Sequence, residues 1–257
     1  MKNIKRNEPL VTIVTVTYNA AATIGRTMKS VSEQTARDYE HIIMDGVSTD
    51  KTLKIVDENK TSRTVVFSSF DQGIYDAMNK AMGHSRGRYL LFLNAGDTFA
   101  DAETLQRFID AINKEEPDII YGQTVSVDKQ GKIIGQRHLI APETLTTDSF
   151  KTGMTVCHQA FMVRRDIAPL YDLEYKLSAD YEWCIICLQN SKKNVYLGNE
   201  PVIHYLNEGM TTKNHSASLN ERFKIMCKYY GTIPTVLRHF NFATRYLKRR
   251  NNASNIQ

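Results

Sequence analysis

Strands and helices alternate along the first hundred residues, and every strand ends in a cluster of polar side chains. Residues 11–17 read Val-Thr-Ile-Val-Thr-Val-Thr, β-branched throughout, and predict a buried strand. Residues 40–44, 64–67 and 89–93 predict three more. Between them lie helices: one from Thr23 with Ile24, Met28 and Val31 at helical spacing, one after Ser48-Thr-Asp50, one carrying Ile74, Ala77, Met78 and Ala81. A fourth, capped by Asp101, carries Leu105, Phe108, Ile109 and Ile112. Such alternation means a mostly parallel sheet covered on both faces. Ligands of such sheets sit at the carboxyl ends of the strands. Thr17–Asn19, Asp45–Asp50, Asp71–Gly73 and Asn94–Asp97 all fall there. One Asp at a strand end is ordinarily a helix cap. Four clusters along one edge ask for a ligand.

The pattern changes after residue 117. Residues 118–127 and 132–137 predict a hairpin about Asp128-Lys-Gln-Gly131, and 157–163 another strand. Residues 179–189 predict a helix with Trp183, Ile186 and Cys187 inward, followed by short strands at 194–197 and 202–205. Residues 1–215 read as one α/β unit, with a nucleotide-binding half (1–100) and an acceptor half (101–215). The four cysteines, Cys157, Cys184, Cys187 and Cys227, include one C-x-x-C in an apolar helix, which reads as buried thiols in a reducing compartment. The Lys/Asn-rich lead and short first apolar run predict no signal peptide, and no run of about 18 apolar residues predicts a membrane span. A cytoplasmic protein is expected.

Charge is unevenly spread. Residues 221–257 hold eight Lys/Arg and one acid, while residues 1–220 hold 25 against 27. A near-neutral body argues against nucleic-acid binding. In the tail, Leu219, Phe223, Met226, Cys227 and Tyr230 share a helical face. Beyond Pro234, Val236, Leu237, Phe240, Thr244 and Leu247 repeat the pattern beside Arg238, Arg245, Lys248, Arg249 and Arg250. A basic amphipathic helical tail over 216–257 reads as a peripheral membrane-surface element, or as helices packed on the body with a solvated basic end.

The acids at the strand tips have different chemistry open to them. An Asp carboxylate accepts from a nucleobase N–H or a ribose hydroxyl and repels phosphate, so Asp45 suits the nucleoside end of a ligand. Asp97 follows the apolar run Tyr-Leu-Leu-Phe-Leu and the flexible Ala95-Gly96. A carboxylate there can hold Mg²⁺ or Mn²⁺ while water and phosphate oxygens fill the other positions.

Together, residues 11–20 (Val-Thr-Ile-Val-Thr-Val-Thr-Tyr-Asn-Ala), Asp45-Gly-Val-Ser-Thr-Asp50, Asp71-Gln-Gly-Ile-Tyr-Asp-Ala-Met-Asn-Lys-Ala81 and Leu91-Phe-Leu-Asn-Ala-Gly-Asp97 resemble the family 2 glycosyltransferases of the GT-A fold. The resemblance is specific over residues 9–100 and weaker to about 205. The wording of the third stretch is similar to bacterial members that build surface polysaccharides. The resemblance implies a nucleotide-sugar pocket at Thr17, Tyr18, Asn19, Asp45, Asp71, Gly73 and Lys80, with Asn94 and Ala95 beside it. Asp97 matches the last acid of the family's D-x-D-type metal motif, but Asn94 or Gly96 stands where a second acid is often found. Ser178-Ala-Asp180-Tyr-Glu-Trp183 resembles the family's E-D motif, with Ala179 in place of Glu. Asp180 is thereby implied as the catalytic base, with Glu182 and Trp183 near the acceptor. His158 and Gln159 are implied at the sugar or acceptor, and His204 as a further metal or phosphate contact.

The implied reaction is a single inverting displacement. An acceptor hydroxyl, on a glycan or lipid-linked glycan, attacks a UDP-linked sugar while Asp180 takes its proton. A nucleotide-dependent dehydrogenase would need a Gly-rich turn after the first strand, and Tyr-Asn-Ala-Ala-Ala-Thr-Ile-Gly is not one. A nucleotidylyltransferase would want a Gly/Arg/Lys-rich loop there. A non-catalytic nucleotide-sugar or glycan binder stays open.

Overall fold

A computed structural model describes residues 8–207 and 215–240. The first half follows the expected alternation. β1 (Val11–Thr17), β2 (Tyr39–Asp45), β3 (Thr64–Ser68) and β4 (Tyr89–Phe92) are parallel in the order β3-β2-β1-β4. α1 (Ile24–Ser32), α2 (Thr52–Asn59) and α3 (Ile74–His84) connect them. Two of the three threonines of β1 enter a fully buried strand with an internal hydrogen-bond partner. Thr12 donates to Glu40, and Thr15 donates to the Leu93 carbonyl. Alternate residues of the same strands feed two cores. Val14, Val16 and Phe92 face Met78 and Trp183; Ile13, Leu91 and Leu93 face Phe108 and Ile112.

The second half adds β5 (Thr98–Phe99), α4 (Thr104–Glu115), β6 (Ile119–Val127), β7 (Ile133–Gln136), β8 (Phe161–Arg164), α5 (Ala179–Asn190), β9 (Asn194–Leu206) and α6 (His215–Tyr230). The sheet continues β4-β8-β6-β9-β5, with β8 antiparallel to both its neighbours and β7 hairpinned on β6. Residues 232–240 are helical.

Three expectations need correction. The predicted strand at 157–163 begins only at Phe161; His158–Ala160 form a 3-10 turn instead. The two short strands at 194–197 and 202–205 are one strand, β9, whose register against β6 shifts near Gln123. On α6 the expected face turns inward at Met226 and Tyr230, but Leu219 is exposed, and Ser218 and Ile225 are the other buried side chains. Thr244, Leu247, Arg245, Lys248, Arg249 and Arg250 lie outside the described residues.

Candidate active site

The carboxyl ends of β1, β2 and β4 do come together, but their acids are not bare. Asp45 ends β2 with no exposure at all. It accepts from the Ser48 hydroxyl (2.5 Å), the Ser48 N–H (3.0 Å) and the Ser68 hydroxyl (2.8 Å). The loop it holds carries strain: Val47, a β-branched residue, sits at φ 62°. Asn19, itself at φ 48°, clamps the far side by accepting from the Thr49 N–H at 2.8 Å. Asp71 caps the Gly73 N–H at 2.9 Å, and a side chain at Gly46 would run into its other oxygen. Tyr18 stands 63% exposed at the mouth, and the Thr17 hydroxyl is buried without a partner.

Asp97 is likewise buried. Its oxygens accept from the Gln159 amide at 2.9 Å and the Leu206 N–H at 2.8 Å, so it ties the β4 end to the 3-10 turn and to β9. Burial pushes its carboxyl up to about 6, against the pull of those two hydrogen bonds. Between Ala95 and Asp97, Gly96 at φ 110° lies so close to β9 that a Cβ would sit 2.6 Å from Leu206 Cδ2. Arg26 holds the Gly96 carbonyl from below.

A divalent ion fits this site only in a particular way. Among the described residues no three His, Cys, Asp or Glu side chains gather closely enough to hold an ion. Asp97 offers one carboxylate, each oxygen of which accepts a single N–H and keeps a lone pair. Mg²⁺ sites of that kind use one or two carboxylates and take the remaining ligands from substrate phosphates and water. Asp97 is the residue that would hold the ion.

Asp180, at the start of α5, is the centre of a second cluster. Tyr75 donates its hydroxyl to Oδ1 at 3.0 Å, and the Tyr181 N–H reaches the same oxygen at 2.9 Å. His158 Nδ1 lies 3.0 Å from Oδ2. His158 Nε2 lies 3.3 Å from the Asn94 amide nitrogen, and the Asn94 Oδ1 is buried without a partner. Burial alone would raise the Asp180 carboxyl; the His158 hydrogen bond, Arg222 and the Tyr75 hydroxyl outweigh it and the net shift is downward. The carboxylate is therefore ionised at neutral pH. A cleft of about 280 Å³ opens beside Tyr75, lined by Gly73, Ile74, Asp76, Leu173 and Tyr175.

Four expected site residues lie elsewhere. Lys80 bridges the Phe70 carbonyl (2.6 Å) and Asp76 (2.9 Å), bracing the 70–76 loop from outside. Glu182 is buried under Lys228 (2.7 Å) and the Tyr229 hydroxyl (3.0 Å) and anchors α6. Trp183 is a core side chain, 1% exposed, stacked on Tyr171 at 5.0 Å with its N–H on the Pro169 carbonyl. His204 pairs in register with Thr98, and the charges it feels are Asp101 and Arg26, not Asp97. Gln159 reaches Asp97 rather than open space, its Oε1 taken by the Cys157 thiol at 2.6 Å. Ser68, Arg26 and Arg222 carry no sequence signal of their own, because their partners are distant in the chain, and Tyr75 sits in the 71–81 motif without its role showing there.

A family model for glycosyl transferase family 2 matches residues 12–169. A PGL/p-HBAD biosynthesis glycosyltransferase of Mycobacterium bovis is 34% identical over 190 residues, 71% of each chain. An uncharacterised glycosyltransferase of Methanocaldococcus jannaschii is 27% identical over 73% of this chain and 67% of its own. The chain therefore belongs to glycosyl transferase family 2. Among solved structures, Staphylococcus aureus TarS 1-349 with UDP-GlcNAc superposes with TM-score 0.69 at 20% identity, covering 84% of this chain and 64% of that one. The Pyrobaculum calidifontis mannosyltransferase PcManGT with GDP-Man and Mn²⁺ gives 0.63 at 12% identity, over 98% and 82%. The fold is that of the GT-A glycosyltransferases.

Proposed function

We propose that this chain moves a sugar from a UDP-linked donor to a hydroxyl of a glycan or lipid-linked glycan, with inversion. The observation that carries this reading is Asp180: an ionised carboxylate, fixed by Tyr75, His158 and its own helix, next to the strand edge where the nucleotide would lie. The acceptor oxygen attacks the anomeric carbon, the bond to the diphosphate breaks on the opposite face, and Asp180 takes the hydroxyl proton. A bound Mg²⁺ or Mn²⁺ at Asp97 would offset charge on the leaving diphosphate. The named ligands of the structural neighbours, UDP-GlcNAc and GDP-Man with Mn²⁺, support a nucleoside diphosphate donor and a metal.

The test is Asp180→Asn. It is expected to bind UDP with Mn²⁺ as wild type does by calorimetry while losing about 10² to 10⁴-fold in transfer or donor hydrolysis. Omitting Mn²⁺ from the same titration reads the metal's share. Retained turnover would remove Asp180 as the base, since Asn and Asp cap helices about equally well. The base would then lie elsewhere, whereas a wild type that binds UDP but neither transfers nor hydrolyses any donor would leave the non-catalytic binder as the better reading.

The proposed place of action is the cytoplasmic membrane surface. No helix among the described residues is long and apolar enough to cross a membrane. The helix at 232–240 exposes Ile233, Val236, Leu237 and Phe240 at helical spacing, next to the basic residues of the tail. An apolar stripe with flanking Lys/Arg suits an anionic bilayer surface.

A further inference from the structure

His158 touches two things that matter, and each of its ring nitrogens has one role. Asp180 is an acceptor, so the Nδ1 facing it at 3.0 Å carries the proton. The other ring nitrogen, Nε2, lies 3.3 Å from the Asn94 amide nitrogen. That orientation of Asn94 turns its Oδ1 the other way, into a buried spot with no partner in the protein. Asn94 follows β4 by two residues, at the carboxyl edge of the parallel strands. An orphan acceptor at that edge is open to a hydroxyl or amide donor from a ligand.

The oxygens of Asp180 are also unequal. Oδ1 accepts twice, from the Tyr75 hydroxyl and the Tyr181 N–H. Oδ2 accepts once, from His158. Only Oδ2 keeps a lone pair for an incoming proton. We propose that His158 is a positioning residue that aims Asp180 Oδ2: its Nδ1–H fixes the oxygen, and its Nε2, gripped by Asn94, sets the base in register with the donor sugar. The acceptor proton moves to Oδ2, and none passes through the imidazole. This proposal rests on Asp180 being the base.

The chain offers no sequence signal for it. His158 reaches the site because residues 158–160 turn as a 3-10 helix, which puts His158 and Gln159 on Asp180 and Asp97 respectively. One turn thus sets both acids.

Of the titratable groups around this pair, Asp97, whose charge His158 feels, is pushed up to about 6 by burial. Tyr75 on α3, Tyr171 before α5 and Tyr205 on β9 are all raised by burial. The thiols of Cys157 and Cys184 are raised the same way, and the Arg222 guanidinium on α6 lowers Asp180. His158 is the group to change. An Asn side chain places its amide N–H where Nδ1–H stands; a Gln side chain places it nearer Nε2.

The experiment compares His158→Asn with His158→Gln. Selective ¹³C labelling of aspartate carboxyls, with Asp180→Asn to assign the signal, reads the Asp180 titration whether or not turnover survives. His158→Gln is expected to move it upward by about one to two pH units, the size of a hydrogen bond to a charged group. His158→Asn should leave it near wild type, and the acid limb of donor hydrolysis should follow the same order. Equal titration in both variants overturns the proposal. So does ¹⁵N-histidine spectroscopy of the wild type if it finds the proton on Nε2 rather than Nδ1; that measurement needs no variant to fold. Full turnover in Asp180→Asn would sink the base itself instead, which keeps the two failures distinct.

Discussion

The Asp45 corner and the Asp180 corner are built from the same residue type and work differently. Asp45 is wholly buried, and all three donors around it come from its own loop and the neighbouring strand tip. It spends its charge on the shape of the Ser48–Asp50 loop. Asp180 also accepts three hydrogen bonds, but two of them come from distant elements, α3 and the turn before β8. An acid tied into its own loop shapes that loop; an acid held by distant elements ties those elements to its own helix. Asp97 lies between the two, joined to the turn and to β9 yet at the metal position of the motif.

Substitutions can break this contrast. After Asp180→Asn, the largest effect is expected in stability, from Trp183→Ala. The ring fills the core against Tyr171, Phe92 and Phe161. Its loss should cost about 3–5 kcal/mol, read as a fall in the urea midpoint. An acceptor-site role would instead raise KM at unchanged stability. Asp45→Ala removes three accepted hydrogen bonds inside a strained loop. A cost of about 2–4 kcal/mol is expected, together with weaker UDP binding by calorimetry. Unchanged UDP affinity would take Asp45 out of the donor site.

Glu182→Gln should cost less, about 1 kcal/mol, because Lys228 is half exposed and can return to water. Faster proteolysis within 215–240 would report the loosened helix. The smallest effect concerns the membrane surface. Full-length protein should sediment with anionic vesicles at low salt and lose that affinity at high salt, each basic residue near the surface contributing about 1 kcal/mol. No sedimentation at low salt would mean that the apolar stripe at 233–240 meets protein instead.

Much of this was legible beforehand, and the boundary is physical. Val11–Thr17 forms the strand its residues predict, because seven β-branched side chains in a row favour little else. The four strand-tip clusters were found from periodicity alone. The apolar run Ala160–Val163 predicts a strand but does not show where it starts, so His158 reads as strand although it sits in the turn leading into one. Lys80, Glu182 and Trp183 were drawn toward the ligand by the motifs that contain them. Their side chains point along α3 and α5 in directions that packing chose.

The sequence by itself determined the alternating sheet and the edge where a ligand sits, since both follow from spacing within a few residues, while the acid that opens α5 stood out only through its resemblance to the family motif. Which atoms those acids touch was decided by the tertiary structure. Tyr75 meets Asp180 across 105 residues and Gln159 meets Asp97 across 62, and no local pattern records a hydrogen bond made between elements that far apart.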